Sequence, residues 1–79
     1  MIEIYTKENC GFCTKAKNLF KIKGFDFQEH DLLKEGEKEN MIARFQQNNL
    51  PMPRTVPQIF INGEYIGGYD DYIKKVGLV

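Results

Sequence analysis

The chain has 79 residues, 42% of them apolar, and 11 basic side chains balanced by 11 acidic ones. That length supports one small domain near the size where a core only just suffices, so residues 1–79 are expected to form a single unit. Zero formal charge with scattered lysines excludes an electrostatic case for nucleic acid or an anionic membrane surface, and no apolar run approaches the roughly 18 residues of a spanning helix.

In chain order, Met1 to Thr6 alternates, with Ile2 and Ile4 on one face, and predicts a strand. Residues 11–23 change to helical spacing, with Phe12, Ala16, Leu19 and Phe20 on a common stripe and Gly24 as the stop. Phe25 to Leu32 reads as a second strand. Met41, Ile42 and Phe45 predict a helix from about Glu37. Pro51, Pro53 and Pro57 make the next stretch a loop. Asn62-Gly63 between two short β-rich runs is a hairpin signal, because both residues tolerate positive φ. Tyr72, Ile73 and Val76 then share a helical stripe. The order β-α-β-α-β-β-α predicts an α/β fold: a four-stranded mixed sheet with helices on both faces, the thioredoxin-type arrangement. Phe20, Phe25, Phe27, Phe45 and Phe60 are expected in the core, with Tyr5 and Tyr72 at its edge and His30 at the surface or capping.

Both cysteines, Cys10 and Cys13, stand at the junction of the first strand and the first helix. A redox couple, half of a metal site and two small apolar neighbours all fit that placement. The N-terminus lacks the pattern of a secretory signal, so a cytoplasmic location is expected, where a structural disulfide is disfavoured. Zinc needs about four ligands, and one histidine leaves that set short. A free thiol is only about 3% thiolate at pH 7. At a helix start Cys10 gains unpaired N–H groups and the positive end of the dipole. Cys13, one turn on, lies on the same face about 5–6 Å away and deeper, so Cys10 attacks and Cys13 resolves. Lys7 either adds a positive field beside Cys10 or is a solvated loop lysine.

Two further motifs accompany the pair. In Arg54-Thr55-Val56-Pro57-Gln58 a proline stands before a strand, where it cannot donate to the ladder. A cis bond there would turn the Val56 backbone outward to pair with an extended peptide. In Ile66-Gly67-Gly68-Tyr69-Asp70-Asp71 the glycines permit a sharp turn, and the carboxylates can accept from an ammonium. The plainer reading is a turn with Asp70 as a helix cap.

Together, CGFC at 10–13, TVPQIFING at 55–63 and IGGYDD at 66–71 resemble the glutaredoxins over residues 1 to about 76. The resemblance implies a glutathione-dependent thiol–disulfide oxidoreductase, strand order 2-1-3-4 and a cis Pro57. It further implies Cys10 as nucleophile and Cys13 as resolving thiol. Thr55 and Val56 would flank the glutathione backbone, and Gly68, Tyr69, Asp70 and Asp71 would hold its γ-glutamyl end. Lys7 would face its glycyl carboxylate, with Arg44 or Arg54 as a second basic contact, and Phe12 would cover the site. Disulfide-containing or glutathionylated proteins, ribonucleotide reductase among them, are the clients by analogy, and the working unit is a monomer. Gly11 and Phe12 stand where dithiol members have proline and tyrosine. They are shared instead with monothiol members, in which Cys10 of two subunits and two glutathiones would ligate a [2Fe–2S] cluster. That is the alternative reading.

Overall fold

The structure is a computed structural model in which residues 1–76 are described; the last three residues of the expected domain lie outside them. The elements are β1 (Ile2–Thr6), α1 (Gly11–Lys23), β2 (Phe27–Asp31), α2 (Glu37–Gln47), β3 (Gln58–Ile61), β4 (Glu64–Gly67) and α3 (Tyr69–Lys75). The sheet runs β2-β1-β3-β4, with β1 and β2 parallel and the β1–β3 and β3–β4 pairs antiparallel. This is the thioredoxin-like order that the resemblance implied. No helix among the described residues is long and apolar enough to cross a membrane.

Strand alternation divides the core in two. Ile2 and Ile4 of β1, with Ile59 and Ile66, pack against Ala16, Phe20 and Tyr72 from α1 and α3. Tyr5 and Phe60 point to the other face and meet Met41 and Phe45 of α2. Both helix ends are closed by local hydrogen bonds. Gly24 adopts a left-handed conformation (φ 72°), its N–H bonds to the Lys21 carbonyl, and the Phe25 N–H bonds to the Phe20 carbonyl. Asn49 (φ 55°) and Leu50 repeat this pattern after α2, reaching the carbonyls of Gln46 and Phe45.

Four expectations are corrected, the first by these closures. The N–H of Phe25 belongs to the helix stop, so β2 begins at Phe27 and Phe25 is 40% exposed rather than core. Phe12 is 52% exposed, and the buried stripe of α1 is Cys13, Ala16 and Phe20. Tyr5 and Tyr72 are fully inside, not at an edge. His30 is neither a cap nor a surface residue. The parallel register sets it beside Tyr5, on which it stacks with centroids 4.7 Å apart. Its Nδ1 faces Glu37 at 2.5 Å and its Nε2 faces Glu3 at 3.1 Å. Arg44 completes this cluster, donating to both oxygens of Glu3 at 2.9 Å with its guanidinium 4.0 Å from the Phe60 ring centre.

Candidate active site

The end of β1 and the loop after it deliver Cys10 to the N-terminus of α1. Its backbone is extended (φ −109°, ψ 107°), its carbonyl accepts from the Thr14 N–H at 3.2 Å, and its sulfur accepts from the Cys13 N–H at 3.1 Å. The Cys13 N–H is one of the donors that a helix start leaves without an intrahelical partner. It is aimed at the sulfur. Cys10 and Cys13 are joined as a disulfide with Cα atoms 5.2 Å apart. Cys10 is half-buried, whereas Cys13 is 2% exposed, the asymmetry expected of an attacking and a resolving sulfur.

The Val56–Pro57 peptide is cis, and the Val56 carbonyl oxygen lies 3.5 Å from the Cys10 sulfur. Among the described residues the Val56 N–H has no acceptor. Gln58 holds this loop from beneath. It is 5% exposed, donates to the Thr55 carbonyl at 2.9 Å and accepts from the Tyr65 hydroxyl at 2.7 Å. Burial pushes the Tyr65 phenol up, with the Asp71 charge adding to it. Gln58 was not singled out from the sequence, although a polar residue opening a strand of Ile and Phe is a signal for a buried hydrogen bond.

At the third motif Gly67 is left-handed (φ 120°), and an added Cβ would overlap the Asp71 side chain. The Gly68 N–H donates to Asp71 Oδ2 at 3.1 Å, so Asp71 closes the start of α3, not Asp70. Asp70 stays exposed.

These parts meet in a groove of about 300 Å³ lined by Phe12, Thr55, Val56, Pro57, Gly68, Tyr69, Asp70 and Asp71. All eight were candidates from sequence, and they come from three segments far apart in the chain. Phe12 and Tyr69 face one another there with centroids 5.9 Å apart. Lys7 lies elsewhere. It lines a larger cavity of about 670 Å³ with Cys10 and Cys13, and a third groove of about 280 Å³ on the other side of Thr55 and Val56, with Lys38 and Arg54. Arg44 is committed to Glu3 and absent from these grooves, which leaves Arg54 of the two arginines considered. Lys38 was missed, yet it falls on the Met41 and Phe45 face of α2 by helical spacing. In the large cavity Glu29 accepts from the Thr6 hydroxyl at 2.6 Å and pairs with Lys17 at 2.9 Å, contacts that hold its carboxyl below the usual range. Among the described residues no group of three or more histidine, cysteine or acidic side chains is placed to hold a metal ion.

A dithiol pair at a helix start, one sulfur reachable and the other sealed, on a thioredoxin-like sheet defines a thiol–disulfide oxidoreductase. Comparison with known proteins narrows the class. The family model Glutaredoxin matches residues 2–66. Glutaredoxin 3 of Escherichia coli K12 is 46% identical over 71 residues, spanning 89% of this chain and 78% of that relative. The crystal structure of glutaredoxin 1 from Francisella tularensis complexed with cacodylate superposes with a TM-score of 0.77 at 29% identity, over 95% of this chain and 90% of that one. A buckwheat glutaredoxin–glutathione complex gives 0.76 at 33% identity, over 95% and 66%. The chain belongs to the glutaredoxin family.

Proposed function

We propose that this protein is a glutathione-dependent thiol–disulfide oxidoreductase that reduces protein disulfides and glutathione mixed disulfides in the cytoplasm as a monomer. The observation that carries the reading is the 300 Å³ groove, in which all eight of its sequence-derived lining candidates converge beside Cys10. A γ-glutamyl tripeptide suits its parts. The unpaired Val56 N–H and the adjacent carbonyl can pair with the cysteinyl residue as a short added strand. The corner at Gly68 to Asp71 offers carboxylates for the α-ammonium. Lys7, Lys38 and Arg54, beyond Thr55, suit the glycyl carboxylate. The solved buckwheat relative in complex with glutathione supports the same ligand class.

The chemistry is a two-electron exchange. Cys10 thiolate attacks one sulfur of the client disulfide, forming a mixed disulfide and releasing the other sulfur as thiolate, which takes a proton from solvent. Cys13, as thiolate, then attacks the Cys10 sulfur. The client leaves as a second thiol, and the Cys10–Cys13 disulfide holds the oxidation. Two glutathiones reset it, the first by forming a mixed disulfide at Cys10 and the second by attacking that mixed disulfide, to leave oxidised glutathione and the dithiol. When the substrate is already glutathionylated, Cys10 alone suffices.

Activity with glutathione and glutathione reductase, measured on three forms of the chain, tests this. Cys10→Ser is expected to lose all turnover. Cys13→Ser is expected to keep reduction of a small glutathione mixed disulfide and to lose reduction of a protein disulfide. A Cys10→Ser protein that keeps its rate, or a wild type indifferent to glutathione, would falsify the assignment.

A further inference from the structure

The 280 Å³ groove beyond Thr55 and Val56 is unusual in charge. Lys7 reaches it from the loop after β1, Lys38 from α2 and Arg54 from the loop before β3, and no acidic side chain lines it. Among the described residues none of the three cations has a carboxylate within ion-pair distance, whereas Lys17 and Arg44 elsewhere are both paired. One glycyl carboxylate can be held by one or two such donors. All three are exposed, so water and salt screen their mutual repulsion in the free protein, and an anionic occupant relieves what remains. Across Thr55 and Val56 the other groove carries the carboxylates of Asp70 and Asp71. The two grooves share Thr55 and Val56, whose carbonyl lies 3.5 Å from the Cys10 sulfur, and are lined by charges of opposite sign.

Building on the glutathione reading above, we infer that Lys7, Lys38 and Arg54 select protein clients in which an acidic residue closely follows the reactive cysteine, while Asp70 and Asp71 favour a basic residue before it. The direction comes from charge. The glycyl end of glutathione is purely anionic and belongs with the three cations, and the zwitterionic γ-glutamyl end belongs with the carboxylates. A client strand paired with Val56 in that direction advances about 3.3 Å per residue. The first two residues after its cysteine therefore fall within roughly 7 Å of the pairing site, the reach of the cationic side chains. The redox step is the exchange already described; only the affinity of the encounter changes.

The test uses pre-reduced protein without glutathione, so it stands apart from the glutathione reading. Symmetric disulfide dimers of two capped pentapeptides serve as oxidants, Ala-Lys-Cys-Glu-Ala and its reversal Ala-Glu-Cys-Lys-Ala, which have the same net charge. Single-turnover rates are normalised to neutral Ala-Ala-Cys-Ala-Ala and to the rate of each peptide with dithiothreitol, removing any change in Cys10 or peptide reactivity. The first peptide is expected to react about fivefold faster at about 20 mM salt, with the gap closing at about 500 mM. In the double variant Lys38→Glu, Arg54→Glu the preference is expected to vanish or reverse. Equal rates in the wild type, or a preference that the double variant retains, overturn the inference. Failure of the glutathione-coupled assay alone, with the peptide preference intact, would instead remove the glutathione reading.

Discussion

Gly11 follows Cys10 at the first position of α1, and a Cβ added there would meet nothing within 4 Å. Cys10 already has the extended backbone that a following proline imposes. The first helical N–H has no intrahelical acceptor, so replacing it removes no bond of the helix. Gly11→Pro is therefore expected to fold unchanged and to gain about 0.5–1 kcal/mol, chiefly by restricting the unfolded chain. A higher urea midpoint at unchanged slope would show this, and a lower one would mean that the Gly11 N–H has a use. At this scale the pairing of the two cysteines was legible in the sequence, because both stand on a single helical turn. Gln58 was not, because its two partners, the Thr55 carbonyl and the Tyr65 hydroxyl, become neighbours only when the hairpin forms. The capping aspartate was misassigned for a local reason: the donor in need is the Gly68 N–H, and a side chain three residues on reaches back to it better than one two residues on.

The attachment of α2 to the sheet combines an apolar contact with an ionic one. Met41 and Phe45 supply the first, and Arg44 with Glu3 and His30 the second. The Arg44 hydrogen bonds hold the Glu3 carboxyl below its ordinary value of 4.5, against an opposing effect of burial. A depressed folded value means that the stabilisation is fully present above about pH 4.5 and is lost as pH falls through the folded value. Both side chains are only about a fifth exposed, so Glu3→Gln is expected to cost on the order of 1–2 kcal/mol at pH 7. Below the ordinary carboxylate value that difference should shrink, and urea unfolding from pH 7 down to pH 3 would follow it. Glu29, held down chiefly by the Thr6 hydroxyl, keeps some acid sensitivity in the variant. Helix limits were well legible, since Gly24 and the α2 periodicity are local signals. The start of β2 and the setting of His30 were not. One depends on where the helix-stop hydrogen bonds fall, the other on the pairing of Tyr5 with His30 across the sheet.

Across the whole molecule, a four-stranded sheet separates two small clusters of buried side chains. Phe60 is fully buried, packed edge-on to Phe45 and Tyr5 and beneath the Arg44 guanidinium. Phe60→Ala is expected to cost about 3–5 kcal/mol, a large part of the 5–15 kcal/mol typical of a domain. For a chain of this length each kcal/mol lowers the melting temperature by roughly 4–8 °C, so a fall of more than about 12 °C is expected in a thermal scan. The element order was legible from periodicity, but the strand order and the cis bond came only with the family resemblance. Of the three cations of the groove, the resemblance implied Lys7 and one arginine, whereas Lys38 was not visible, because the three are 31 and 16 residues apart along the chain. The spacing of Cys10 and Cys13 has a kinetic consequence. With Cα atoms 5.2 Å apart on one turn, Cys13 would, in the reaction proposed above, compete with free thiols as a tethered neighbour, at an effective concentration above the millimolar level of flexible tethers. Covalent adducts of wild-type protein with dithiol-competent clients should thus be short-lived, and isolating a client by its link to Cys10 calls for a chain in which residue 13 has no sulfur.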